Sequence, residues 1–248
     1  LNTSSLLLAV IEMLDFSIRP TIYFYRSNFE PWVRRHGLEP GLERLRRARM
    51  VRWETEGLSG NIPRLSRRAR QRQGGLVDPT LAWSRDWDGS WHTVNFDLPE
   101  TQRAARKRLR QLLRGEGFGC VQRSFWIAPD VHPKLMRKLE ALSAEVGTLT
   151  LLLSRPVHEE THRSLVRRGW DFETLGNRYR DHRALLSAVP DGTCASWGEI
   201  SEWLKDELCA WRRICELDPF LPEPLLPPGY LGQEVWAART QAFAQLIR

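Results

Sequence analysis

The chain has 248 residues, 42% of them hydrophobic and 27% charged, enough for one large domain or two to three small ones with buried cores. Its formal net charge of +7 is confined: residues 1–75 hold 14 basic side chains, all Arg, against 7 acidic ones, while residues 76–248 hold 23 of each. No stretch has the continuous apolar length of a membrane span, and Cys120, Cys194, Cys209 and Cys215 form neither a CxxC pair nor a disulfide framework. These totals exclude a helical membrane protein and a disulfide-stapled secreted scaffold. The cysteines read as buried small side chains in a cytoplasmic protein. The apolar run at residues 6–11 lacks the basic leader and cleavage site of a signal peptide. A single-sign field gathered in one segment suits a polyanion, because Arg forks match phosphate oxygens and released counterions drive association.

The apolar run 6–14 predicts a helix capped by Ser4 or Ser5. Residues 22–25 are aromatic and β-branched, a strand or a buried turn. Residues 30–36 predict a second helix closed by Gly37. A third opens at Pro40-Gly41, with Leu42, Leu45 and Met50 inward and Arg44, Arg46, Arg47 and Arg49 outward. Residues 51–55, a polar turn at 57–61 and residues 62–66 read as a hairpin. Three helices and a hairpin are the order of a winged helix-turn-helix. The basic segment 67–75 is a linker.

The middle of the chain reads β-α-β-β-α-β, a ferredoxin-like plan. Its expected strands are 91–96, 121–127 and 148–153, the last an apolar strand of the buried kind. Its helices are 101–114, with Leu109, Leu112 and Leu113 inward, and 132–146, with Leu135, Leu139 and Leu142 inward. From Pro156 onward the pattern is helical at 159–168, 170–187, 196–215 and 234–247, broken by the proline-rich loop 218–229. The fold class is α+β: residues 1–75 a DNA-binding head with its linker, 76–157 a ferredoxin-like domain, and 158–248 a helical domain.

The candidate DNA contacts are Arg44, Arg46, Arg47 and Arg49 on the third helix, Arg52 and Arg64 on the wing, and Arg67 in the linker. The alternative is a solvated helix face. Arg103, Arg106, Lys107, Arg110 and Arg114 recur at spacings of three and four on the first helix of the middle domain. That stripe reads as a phosphate-contacting face or as an exposed one. Asp97, at the end of the first middle-domain strand, reads either as a carboxylate for Mg²⁺ or as a cap for the turn that follows. His158-Glu159-Glu160-Thr161-His162 fits HExxH literally, but no third zinc ligand follows at a supporting distance. No metal or catalytic set is expected.

Three blocks carry a resemblance. The first runs from Trp87-Asp88-Gly89-Ser90-Trp91 through Asp97-Leu98-Pro99 to Phe125-Trp126-Ile127-Ala128-Pro129. The second is Trp170-Asp171-Phe172-Glu173-Thr174-Leu175 with Tyr179. The third is Asp218-Pro219-Phe220-Leu221-Pro222 through Leu225-Leu226-Pro227. Together with Ser5-Leu6-Leu7-Leu8, Arg44-Leu45 and Arg64-Leu65-Ser66, they resemble the PaaX-like bacterial transcriptional regulators, and the likeness covers nearly the whole chain. It implies a repressor of a catabolic operon, not an enzyme. It implies a homodimer on a double-stranded DNA operator, released by an acyl-CoA effector and needing no cofactor. Arg103, Arg106, Arg110, Trp170 and Tyr179 are the candidate effector contacts. The middle unit is also similar to the small CRISPR-adaptation endonuclease, which implies Mg²⁺-dependent nuclease chemistry at Asp97 as the alternative function.

Overall fold

A computed structural model describes residues 2–16, 28–55, 61–66, 79–146 and 149–247. The expected strand at 22–25, most of the hairpin turn at 57–61 and the basic segment 67–75, with Arg67, lie outside the described residues. In chain order the elements are α1 (Thr3–Phe16), α2 (Phe29–Arg35), α3 (Glu39–Arg47), β1 (Val51–Thr55), β2 (Asn61–Leu65), α4 (Pro79–Trp83), β3 (Trp91–Phe96), a 3₁₀ turn (Glu100–Gln102), α5 (Arg103–Gly115), β4 (Gly119–Gln122) and β5 (Phe125–Ala128). There follow α6 (Pro133–Val146), β6 (Leu149–Ser154), α7 (Glu159–Gly169), α8 (Phe172–Ser187), α9 (Trp197–Cys215), a second 3₁₀ turn (Glu223–Leu225) and α10 (Gly232–Leu246). They form two compact units. One gathers Leu1–Asp78, Asn177–Glu216 and Leu231–Arg248; the other gathers Pro79–Gly176 and Leu217–Tyr230.

In the first unit α1 is apolar nearly all round, and such a helix has no face to give to water. Leu6, Leu7, Val10, Ile11 and Met13 are buried accordingly. The helix packs against α3 and β2 on the N-terminal side and against α9 and α10 from the far end of the chain. Its cap comes earlier than the sequence suggests: the Asn2 side chain, not Ser4 or Ser5, accepts from the Ser5 N–H at 2.9 Å. Ser5 lies inside the helix as one of the donors that need a cap. On α2, the buried Trp32 meets Trp197 edge-on at 6.2 Å. Arg35 Nη1 and His36 Nε2 both donate to the Gly192 carbonyl, at 3.1 and 3.3 Å. Gly192 has no alternative there, since a Cβ would lie 1.8 Å from the Leu246 carbonyl oxygen.

A charged cluster sits in the middle of this core. Glu207 is fully buried; Arg239 donates to it through Nε at 2.5 Å and Nη2 at 3.1 Å, and His182 through Nε2 at 3.0 Å. The Arg239 guanidinium lies over Trp211, Phe243 and Trp236, at 4.8, 5.1 and 5.5 Å from the ring centroids. Its Nη1 points at Met13 Sδ on α1. Aromatic faces attract the cation where water is excluded, and the two-pronged pair satisfies both charges.

The second unit is the ferredoxin-like plan. Its sheet runs β4-β5-β3-β6 with every neighbouring pair antiparallel. The expected strand 121–127 is in fact a hairpin: Arg123 and Ser124 form the turn, and β4 and β5 pair with a register shift between Cys120 and Gln122. One face packs Val94, Phe96, Trp126 and Ala128 on Leu109 and Leu113 of α5 and on Leu135 and Leu139 of α6. The other face packs Trp91, Val121 and Ile127 on Val166 of α7 and on Leu221 and Leu225. The last strand differs from expectation. β6 lies at the sheet edge, with Leu152 and Leu153 at 55% and 65% exposure. An apolar run alone does not distinguish a central strand from an edge one. Cys194 and Cys209 are likewise exposed rather than buried.

The proline-rich loop is held by Asp218, which accepts from the Phe220 N–H at 2.7 Å and from the Tyr230 hydroxyl at 2.6 Å. The Tyr230 hydroxyl in turn accepts from Trp83 Nε1 at 3.1 Å. Phe220 takes a left-handed φ of 44°, and Arg85 donates to its carbonyl.

Burial alone would raise the Glu207 carboxyl above its ordinary value. The Arg239 charge and the His182 and Arg239 hydrogen bonds outweigh it, and the result is lowered. A carboxyl depressed by folding stabilises the native state above its unfolded pKa, and that contribution disappears as pH falls through the folded value. Glu207→Gln leaves Arg239 buried without its counter-charge, at a cost of about 3–5 kcal/mol near neutral pH. Urea titrations of parent and variant will show that gap, and it will narrow as pH drops below the ordinary glutamate range. A gap independent of pH would contradict the assignment.

Candidate nucleic-acid interface

The N-terminal region is a winged helix-turn-helix. Between α2 and α3 the turn is three residues, His36-Gly37-Leu38, with Gly37 at φ 63°. That left-handed conformation costs glycine nothing and ends α2 sharply. α3 begins Glu39-Pro40-Gly41, one residue earlier than expected. Gly41 and Leu45 are buried and fix the helix against the core; a Cβ on Gly41 would sit 3.0 Å from Leu7 Cδ1 of α1. With that face pinned, Arg44, Arg46 and Arg47 stand exposed in the last turn. Among the described residues only Arg47 of that group has an ion pair, with Glu43 at 3.0 Å, and both side chains are wet. Such a pair contributes little and yields readily to a phosphate.

Arg49 follows the helix with φ 54°, in the region that favours glycine. Its N–H donates to the Arg46 carbonyl, and the Met50 N–H to that of Leu45, which closes the helix end. An exposed arginine held where glycine costs less stores local backbone strain. In the hairpin, Arg52 and Arg64 are direct cross-strand partners and share one face, while Val51 and Leu65, the next pair, are buried on the other. α3 thus presents arginine outward on a support fixed by α1, and on the wing Arg52 is exposed while Arg64 is half-buried. Arg34 is also exposed, at the end of α2, and nothing local in the sequence marks it as outward.

The remaining sequence candidates fall elsewhere. Asp97 is exposed after β3 and makes no hydrogen bond or ion pair with a described residue, so it does not cap the following turn. The HExxH match does not form a metal face. His158 precedes α7 in extended conformation, and His162 Nδ1 accepts from Trp91 Nε1 at 2.9 Å while its ring meets Trp87 edge-on. Among the described residues no cluster of three or more His, Cys, Asp or Glu could hold a metal ion.

The five candidate effector contacts are not gathered into one site. Arg103, Arg106 and Arg110 belong to α5, which covers one face of the sheet. Trp170 lies against the other face, over Gly119, and donates to the Gly117 carbonyl at 3.2 Å. Tyr179 belongs to the other compact unit and is fully buried, so its ring offers no ligand contact. No local signal marks this, because the alternation that puts Trp126 and Ile127 on opposite faces only becomes readable once the hairpin is known.

Residues 84–166 match the family model described as PaaX protein central Cas2-like domain, and residues 170–248 match the one described as PaaX-like protein C-terminal domain. The chain belongs to the PaaX-like family of transcriptional regulators. Between them the two models span well over half of it. As a PaaX-like protein it is a DNA-binding transcription regulator and not an enzyme, and the Asp97 nuclease alternative gives way to that identity. A solved structure, the uncharacterized protein Rv0674 from Mycobacterium tuberculosis, is similar at a TM-score of 0.52 and 24% identity, covering 85% of this chain and 80% of that one. At that identity the likeness speaks for the fold alone. No curated protein matches the PaaX-like chain. No helix among the described residues is long and apolar enough to cross a membrane.

The strain at Arg49 sets two properties against each other. Arg49→Gly will raise stability by up to about 1 kcal/mol in thermal unfolding, since glycine adopts this φ without a Cβ clash. The same variant will bind duplex DNA more weakly. Weaker folding, or unchanged DNA binding, would show that the residue is structural.

Proposed function

We propose that this regulator is a cytoplasmic, ligand-responsive repressor that grips its operator with α3 and the β1–β2 wing and is released by an acyl-CoA thioester. The observation that carries the reading is the exposure of Arg44, Arg46, Arg47 and Arg49 beside a buried Gly41 and Leu45. One face of the helix is spent on the core and the other is free for a groove. The arginines crowd the C-terminal half of α3, while its first turn is Glu39-Pro40-Gly41. Recognition helices usually read base edges from their N-terminal residues. Here the basic half is suited to phosphates, with Arg52 and Arg64 of the wing, and Arg67 beyond it, continuing the grip. Affinity then comes largely from counterion release, and pairing of two chains about a two-fold axis supplies the second half-site.

Family membership supports a small-molecule effector. An effector derepresses only if it binds a DNA-incompetent arrangement more tightly than the competent one, and DNA must weaken its binding by the same factor.

The test is a salt series of operator binding, with the operator obtained by selection from random duplexes. Replacing Arg44, Arg46 and Arg47 together by Gln will leave the fold intact, lower affinity about 100-fold near 0.1 M salt, and flatten the logarithmic salt slope by about 3. Adding acyl-CoA thioesters to the parent complex will release the DNA. A triple variant that binds with the parent's affinity and slope overturns the helix assignment.

A further inference from the structure

We propose that α5 is a second DNA-binding surface, a phosphate rail in the middle domain that adds to the grip of the winged helix. The helix carries Arg103, Arg106, Lys107, Arg108, Arg110 and Arg114 and no acidic residue. All but Arg108 recur at spacings of three and four, so they line one edge of the helix over about 16 Å. Leu109 and Leu113 lock the neighbouring face onto the sheet, and the stripe cannot rotate away.

Two members are already oriented. Arg106 donates to the Leu98 carbonyl and Arg110 to the Arg123 carbonyl at 2.9 Å. These bonds hold the guanidinium groups without neutralising them. Lys107 and Arg114 are exposed and have no ion pair with a described residue, and Arg114 is steadied over the Trp126 ring at 5.7 Å. A solvated helix of this kind normally interleaves acids with bases. This one does not, and the exposed Lys107 and Arg114 charges are left to attract an anion.

The shape selects among anions. The stripe is long and lies on a convex helix, with Arg103, Lys107 and Arg114 exposed and Arg106 and Arg110 half-buried. Duplex DNA supplies about one negative charge per 1.7 Å of axis and needs no enclosure. The surface therefore takes phosphates in series and reads no sequence.

The proposal is tested on the full-length chain with a short duplex covering the selected operator and with the same site extended on both sides by unrelated sequence. The variant is Lys107→Gln/Arg114→Gln, which spares the two carbonyl-bound arginines. Its control is Arg108→Gln/Arg168→Gln, the same loss of charge off the stripe, and thermal unfolding of all three proteins verifies folding. The parent will prefer the long duplex, with a steeper salt slope. The stripe variant will lose about tenfold on the long duplex and flatten its slope by about 2, while the control and all short-duplex affinities stay near the parent's. Equal losses in variant and control would reduce the effect to net charge and overturn the proposal, as would a stripe variant that keeps the parent's long-duplex slope. A stripe variant that binds both duplexes normally but no longer responds to acyl-CoA thioesters would overturn it in favour of a small-molecule phosphate site. Loss of operator binding in the Arg44, Arg46 and Arg47 variant is read separately on the short duplex, so failure of either surface is recognised independently.

Discussion

The folded state of the N-terminal head rests on one burial problem, and the answer to it comes from the other end of the chain. α1 is apolar around most of its circumference, and the short helices and hairpin beside it cover only part of it. α9 and α10 supply the rest. The Arg239–Glu207 pair lies at this junction, with His182 on one side and Met13 on the other. Two charges out of water are costly, and their mutual attraction repays that cost only when geometry and remaining hydrogen bonds are right. A hydrophobic replacement of similar volume would serve stability as well. What the pair adds is a requirement for one arrangement of α1, α9 and α10, because a shifted helix would leave a buried charge alone.

From that fixed core the DNA-facing surface follows. Gly41 and Leu45 are committed inward against α1, so the arginines between and after them can only point outward. The wing is oriented the same way by Val51 and Leu65. Comparison of magnitudes separates the two kinds of ion pair in this unit. The exposed Glu43–Arg47 pair is worth at most about 1 kcal/mol and is screened by salt, whereas breaking the buried pair costs several times that. The first is weak enough to give way to a competing anion; the second holds the shape of the unit. An effector that acts on the C-terminal helices would therefore act on the core of the head itself.

Local features were legible in the sequence. The helix, helix and hairpin order of the head, the sharp turn at Gly37, the outward arginines of α3, and the inward leucines of α5 and α6 all follow from periodicity and turn chemistry. The β4–β5 hairpin was missed because Arg123 and Ser124 carry no glycine, proline or asparagine to mark a turn. β6 looked buried because three consecutive leucines fit a central strand and an edge strand equally well. Asn2 was passed over because two serines nearer the apolar run offered the same chemistry. The shared core was not legible at all. His182, Glu207 and Arg239 sit on helices where a charged residue ordinarily faces water, and Met13 lies 226 residues from Arg239. Only the aromatic residues around Arg239, Trp211, Trp236 and Phe243, hinted that this arginine belonged inside. The candidate effector contacts are spread over several elements for a related reason: resemblance marks the residues, but the faces they occupy depend on strand alternation.

Native-state hydrogen exchange on the full-length chain tests the central claim most directly. If α1 completes its core with α9 and α10, the slowest amides of all three helices open together, at one free energy, and Glu207→Gln lowers all three by the same amount. If instead α1 and α3 exchange at a much lower free energy than α9 and α10 and ignore that substitution, the head folds by itself and the account is wrong.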